Sequence, residues 1–127
     1  MEADLRGSQQ KVVSTKVAPL RMSTGDSGIP IKAGRTLPFV ISREWSAPAG
    51  HYIERWYLVD PKTREVLYEG PPRETLLWGL QALTELSDEV GEPIPLEPGT
   101  YLIVHSLNGL LGGEFEVDAV EVDAEAA

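Results

Sequence analysis

The sequence predicts a mainly β protein, an antiparallel β-sandwich carrying one short helix and an extended N-terminal arm. Three stretches carry this expectation. The run from Leu96 to Leu107 follows the turn Pro98-Gly99 and is dense in β-branched and aromatic residues. It ends on Asn108-Gly109, the strongest short-range hairpin signal. A second such run, Glu114 to Val122, returns as the other arm of that hairpin. Tyr52 to Val59 is apolar on both faces, as a strand in the middle of a sheet would be.

Taken in order, the chain divides at residues 36 and 122 into an arm, a sandwich body and an acidic tail over residues 123–127. Within residues 1–36, Lys11 to Ala18 has strand composition and is stopped by Pro19. The Pro, Gly, Ser and Asp of residues 19–36 leave few apolar anchors, which predicts an extended arm with little core of its own. The body opens with a strand over Leu37–Arg43. A turn at Ser46–Gly50 leads into the Tyr52–Val59 strand, with Trp56 in the core. Asp60–Arg64 is a hairpin loop, answered by a strand over Glu65–Glu69. In residues 73–90, Leu76, Leu80 and Leu83 fall at helical spacing between Pro71-Pro72 and Gly91, which predicts the short helix. Two-residue alternation of Leu76, Trp78, Leu80 and Ala82 fits part of the same stretch. In the last strand, Phe115 and Val117 share one parity and Val120 and Val122 the other, so a bulge is expected near Asp118-Ala119.

The chain has 127 residues, no cysteine and a net charge of −9. That is one domain's length, without a disulfide framework or thiolate metal site. Residues 1–35 carry +3, residues 36–113 carry −6 and residues 114–127 carry −6. An acidic body repels a polyanion, so nucleic acid is not an expected partner. No apolar run approaches the ~20 residues of a membrane span, and no signal peptide opens the chain. The expected location is the cytoplasm or a virion. A basic arm on an acidic body suits docking onto another protein surface.

Leu96-x-Pro98-Gly99-x-Tyr101-x-Ile103, followed by Asn108-Gly109, resembles the entry to the penultimate strand of immunoglobulin-like and fibronectin type III-like sandwiches. The resemblance makes Tyr101 a tyrosine corner after Leu96 and Gly99, and Trp56 the core tryptophan of the third strand. It implies binding or assembly rather than catalysis. The two immunoglobulin cysteines are missing, and the leucine-rich segment 76–86 departs from both families.

Motifs for chemistry are thin. Gly25-Asp26-Ser27-Gly28 resembles the nucleophile loop of trypsin-like proteases, but Ile29 replaces the second glycine and both histidines follow the serine. His51 and His105 have no metal-ligand spacing and read as structural. Glu114, Glu116, Asp118, Glu121 and Asp123 lack a calcium loop and read as a solvated strand face. Expected catalytic residues, metal and cofactor are therefore none. The chain's layout also resembles the accessory proteins that decorate or cement phage capsids, or tail subunits. On that reading the arm binds other copies or a larger particle by strand addition, through Lys11, Val12, Val13, Lys16, Val17 and Arg21, with the hairpin-tip residues Leu110 and Leu111 as further contacts. The alternative is an immunoglobulin-like ligand-binding domain, similar to small bacterial proteinase inhibitors, that binds through residues 108–113.

Overall fold

The structure, a computed structural model, describes residues 10–21 and 27–122. The described residues form ten strands: β1 (Lys11–Pro19), β2 (Ile29–Lys32), β3 (Arg35–Thr36), β4 (Phe39–Ser46), β5 (Gly50–Val59), β6 (Val66–Glu69), β7 (Arg73–Leu77), β8 (Thr84–Val90), β9 (Gly99–Leu107) and β10 (Leu110–Glu121). They make two sheets. One has three strands in the order β1-β4-β8; the other runs β3-β2-β10-β9-β5-β6, with β7 also paired to β5. The sheets face one another across a shared core. Val17, Phe39, Ile41 and Val90 from the small sheet pack with Ile29, Trp56, Leu58 and Ile103 from the large one. A second cluster, Val12, Trp45, Leu77, Leu86 and Leu107, fills the end where β5 begins and β9 finishes.

Local chemistry explains the best-read elements. Asn108 and Gly109 both take positive φ, 50° and 80°, the geometry of a turn whose twist matches the strands it joins. β10 therefore folds straight back on β9, with Phe115 opposite Ile103 and Val117 opposite Tyr101. The Asp60 carboxylate accepts hydrogen bonds from the Lys62 and Thr63 amides at 2.8 and 3.0 Å, closing the loop before β6. These bonds favour the ionised form and lower the Asp60 pKa.

Four expectations are corrected. Among the described residues there is no helix: residues 73–90 are β7, a turn and β8. The leucines at helical spacing, Leu76, Leu80 and Leu83, lie on the surface. The core side of β8 is set instead by two-residue alternation of Leu86, Asp88 and Val90. The pairing is not wholly antiparallel, because β2 lies parallel to β10 through Ala119–Ile29 and Glu121–Ile31. The separation of residues 1–36 as an arm does not hold from Lys11 onward. β1 pairs along its length with β4, and Ile29, Pro30 and Ile31 are all buried. Val12 and Val17, five residues apart, both face inward because a bulge between Val12 and Ser14 shifts the register. Finally, the irregularity in β10 sits between Leu111 and Gly113, not at Asp118-Ala119. Phe115, Val117 and Ala119 keep one inward parity, and Val120 faces out. Residues 1–9, 22–26 and the tail 123–127 lie outside the described residues.

Candidate functional site

Charged groups are built into the core. Ile41, Arg43 and Trp45 alternate onto the inner face of β4, and Glu54, Trp56 and Leu58 onto that of β5. Arg43 and Glu54 thus meet between the sheets, both buried, in a forked pair made by the guanidinium Nε (2.7 Å) and Nη2. Trp45 Nε1 donates to the same carboxylate at 2.9 Å. Asp88, on β8, gathers Arg43 Nη2 at 3.3 Å, Trp56 Nε1 at 3.0 Å and Arg73 Nη2 at 2.7 Å. Every ion in this layer is paired, as burial demands.

The two histidines stay apart in role. His51 is exposed at the start of β5, opposite Leu76. His105 is buried on β9, with Nε2 2.8 Å from Thr15 Oγ1 and Nδ1 without a partner. The edges of Trp45 and Phe115 surround it. Burial first, and then the nearby Arg43 charge, push its pKa down to about 3, so the ring is neutral at ordinary pH. Ser27 lies exposed in the loop before β2 and makes no hydrogen bond to either histidine. Among the described residues no cluster of His, Asp or Glu is arranged to hold a metal ion.

The surface is more informative. Of the residues expected to bind partners, Val12 and Val17 are buried in the protein's own core, while Lys11, Lys16 and Arg21 are exposed and Val13 is half exposed. Leu110 and Leu111 are 52% and 58% exposed, and Trp78, at 64%, is the most exposed large apolar residue among those described. These side chains belong to one end of the molecule. Ser46 Oγ donates to the Leu80 carbonyl, and Trp45 pairs with Thr84 beside Leu83. A Cβ on Gly112 would meet the Trp45 ring, which ties Leu111 to the same end. Asn108 Oδ1 accepts from the Ile53 amide at 2.8 Å, and β7 leads through Leu76 to Trp78. The result is an apolar end carrying Ile53, Leu76, Trp78, Leu80, Leu83, Leu110 and Leu111. Sequence reasoning found the last two, put Leu76, Leu80 and Leu83 at helical spacing with Trp78 beside them, and set Ile53 on the Tyr52–Val59 strand.

Trp56 and Leu96 are buried, and Gly99 opens β9. Tyr101 Oη donates back to the Glu97 carbonyl at 2.7 Å.

No protein-family model and no curated protein matches the chain. Solved structures do. The alkylpurine DNA glycosylase AlkC of Pseudomonas fluorescens aligns over 91% of the chain with a TM-score of 0.53 and 18% identity. The β-glucosidase EmGH1 of Erythrobacter marinus aligns over 87% at a TM-score of 0.49 and 14% identity. An ApaA protein of Bordetella pertussis aligns over 87% of this chain and 88% of its own length, at a TM-score of 0.40 and 15% identity. The chain spans 32% of the glycosylase and 15% of the glucosidase. At such identities the likeness to the glycosylase is one of fold alone.

Proposed function

We propose that the protein is a non-enzymatic immunoglobulin-like sandwich that works by assembly, as a structural or accessory subunit joined to other copies of itself in a larger particle such as a capsid or tail. The sandwich assignment is supported by the order β1-β4-β8 facing β2-β10-β9-β5, by Trp56 on β5 and by the Tyr101-to-Glu97 hydrogen bond of a tyrosine corner. The function rests on one observation, the exposed apolar end around Trp78, Leu110 and Leu111. Several large apolar side chains exposed at one end of a molecule are the usual mark of a protein contact. Docking by Lys11–Ala18 as a free strand gives way to docking by this end, because β1 is paired to β4 on one side and its Val17 carbonyl accepts from the Gly28 amide on the other. The alternative of a ligand-binding or inhibitory loop uses the same residues 108–113, and differs in taking a foreign partner.

Sedimentation velocity over a range of protein concentrations tests the proposal. The wild type associates as concentration rises, and more strongly in high salt, which screens the net charge of −9 while leaving apolar contact intact. The triple variant W78S/L110S/L111S stays monomeric. A wild type that is monomeric throughout, or a triple variant that associates equally, refutes assembly through this end.

A further inference from the structure

β8 is an edge strand. It pairs with β4 on one side, and among the described residues no strand pairs with the other. Ser87 and Ser42 stand opposite one another with their hydroxyls 2.8 Å apart. The Ser87 carbonyl accepts from Arg73 Nη2 at 3.0 Å, on the side away from β4. Backbone direction alternates along an antiparallel strand, so the amides and carbonyls of Glu85, Ser87 and Glu89 all point outward. The opposing sheet leaves room there. Its edge is broken between β6 and β7 at Gly70-Pro71-Pro72. A groove of about 330 Å³ lies between the two edges, walled by Trp56, Tyr68, Pro71 and Arg73 opposite Asp88 and Val90.

The charges around this edge define its partner. Glu85 and Glu89 are exposed on the outer face of β8, and Glu44 stands directly opposite Glu85 on β4. Among the described residues none of the three is in a salt bridge. Like charges face to face across a ladder are unfavourable until a cation joins them. A second copy of β8 is the wrong occupant: antiparallel pairing about Ser87 would set Glu85 against the copy's Glu89.

We propose that the outer edge of β8 takes up an extended segment of a different protein by strand addition, a segment with Lys or Arg at two positions four residues apart. Those cations stand beside Glu85 and Glu89 on the outer face. The residues between them bond to the β8 backbone, and alternate apolar side chains enter the groove at Trp56 and Tyr68. An incoming amide replaces Arg73 at the Ser87 carbonyl, while Arg73 keeps Asp88.

The test uses the full chain and a capped peptide of sequence Thr-Lys-Val-Ser-Val-Lys-Thr, followed by amide NMR shifts. Saturable shifts at Glu85, Ser87 and Glu89 that weaken as salt rises are expected. Ser87→Pro removes one outward amide at a place where an edge strand tolerates proline. It weakens binding about tenfold, the worth of one hydrogen bond of ~1.4 kcal/mol, while tryptophan fluorescence reports an intact core. E85K/E89K abolishes binding without touching a core residue. No shift at peptide concentrations on the order of 1 mM overturns the proposal, since that is the weakest specific range. So does equal binding of the peptide with Glu for Lys, or of the two variants. Opposite salt dependence and separate residues keep this result distinct from that of the apolar end.

Discussion

Replacing His105 with Gln should remove much of the protein's sensitivity to mild acid. The imidazole sits between the sheets with Nδ1 unpartnered and Arg43 nearby, and its pKa is pushed from 6.5 to about 3. A proton on the folded ring would add a buried cation beside a second one, with no acceptor for the new N–H. The unfolded chain takes up that proton near its ordinary pKa, the folded protein only near 3. The folded pKa is the lower one, so the stabilisation is full above pH 6.5 and is lost as pH falls towards 3. Each pH unit below 6.5 costs about 1.4 kcal/mol. Between pH 7.5 and 6.0 the loss is about 0.8 kcal/mol, and between pH 7.5 and 5.0 about 2 kcal/mol. This is a large share of the ~5–15 kcal/mol that holds a domain of this size together. Urea unfolding followed by tryptophan fluorescence at pH 7.5, 6.0 and 5.0 measures it in both proteins. H105Q also loses the bond to Thr15, which lowers its stability at every pH and leaves the slope as the quantity of interest. Carboxylates titrate alike in the two and cancel in the difference. If wild type and H105Q lose the same stability between pH 7.5 and 5.0, the buried neutral imidazole is not what the acid attacks, and the reasoning fails.

Other consequences are as definite. Arg43→Met or Glu54→Leu alone should cost ~3–5 kcal/mol, because each strands the other half of the buried pair, and R43M/E54L should cost less than the sum of the singles; a urea double-mutant cycle measures the coupling. A methyl group at Gly112 would clash with the Trp45 ring, so Gly112→Ala should lower stability by ~1–3 kcal/mol through overpacking. Gly109→Ala, in open space but at φ 80°, should cost ~1 kcal/mol through backbone strain alone, and calorimetry separates the two. Tyr101→Phe should cost ~1 kcal/mol by deleting the hydrogen bond to the Glu97 carbonyl, read from the shift of the urea midpoint.

The hairpins were legible because their chemistry is local. Asn108-Gly109 and Asp60–Arg64 specify a turn within a few residues, and the flanking strands inherit their register from it. The Tyr101 corner was legible for the same reason: its donor and acceptor are four residues apart. The buried ions were not. Arg43 and Glu54 look like ordinary surface residues until β4 and β5 are laid in opposite sheets, and only the apolar neighbours of the same parity, Ile41 with Trp45 and Trp56 with Leu58, hint at where they point. The fate of residues 11–36 was hidden in a similar way. A bulge restores Val12 and Val17 to one face, and no count of spacings reveals a bulge in advance. β2 finds its partner in β10, some ninety residues along the chain, which no local signal records.

The largest misreading lies at Leu76–Leu83, and its cause is instructive. Five leucines and a tryptophan within residues 76–86 exceed what two short strands can bury. A helix would hide such a set on one face, which is why the spacing suggested one. The protein instead puts β7 against β5 and β8 against β4, in different sheets, and buries only Leu77 and Leu86. Leu76, Trp78, Leu80 and Leu83 stay between 38% and 64% exposed, and each gives up part of the ~1.5–3 kcal/mol that full burial contributes. Fold stability cannot account for them, since none contributes to the core. A place where local pattern and tertiary structure disagree is where a second requirement acts on the sequence. On the function proposed above, that requirement is a surface to be covered by another molecule, and the residues that mislead a reading of the fold are the ones on which that proposal rests.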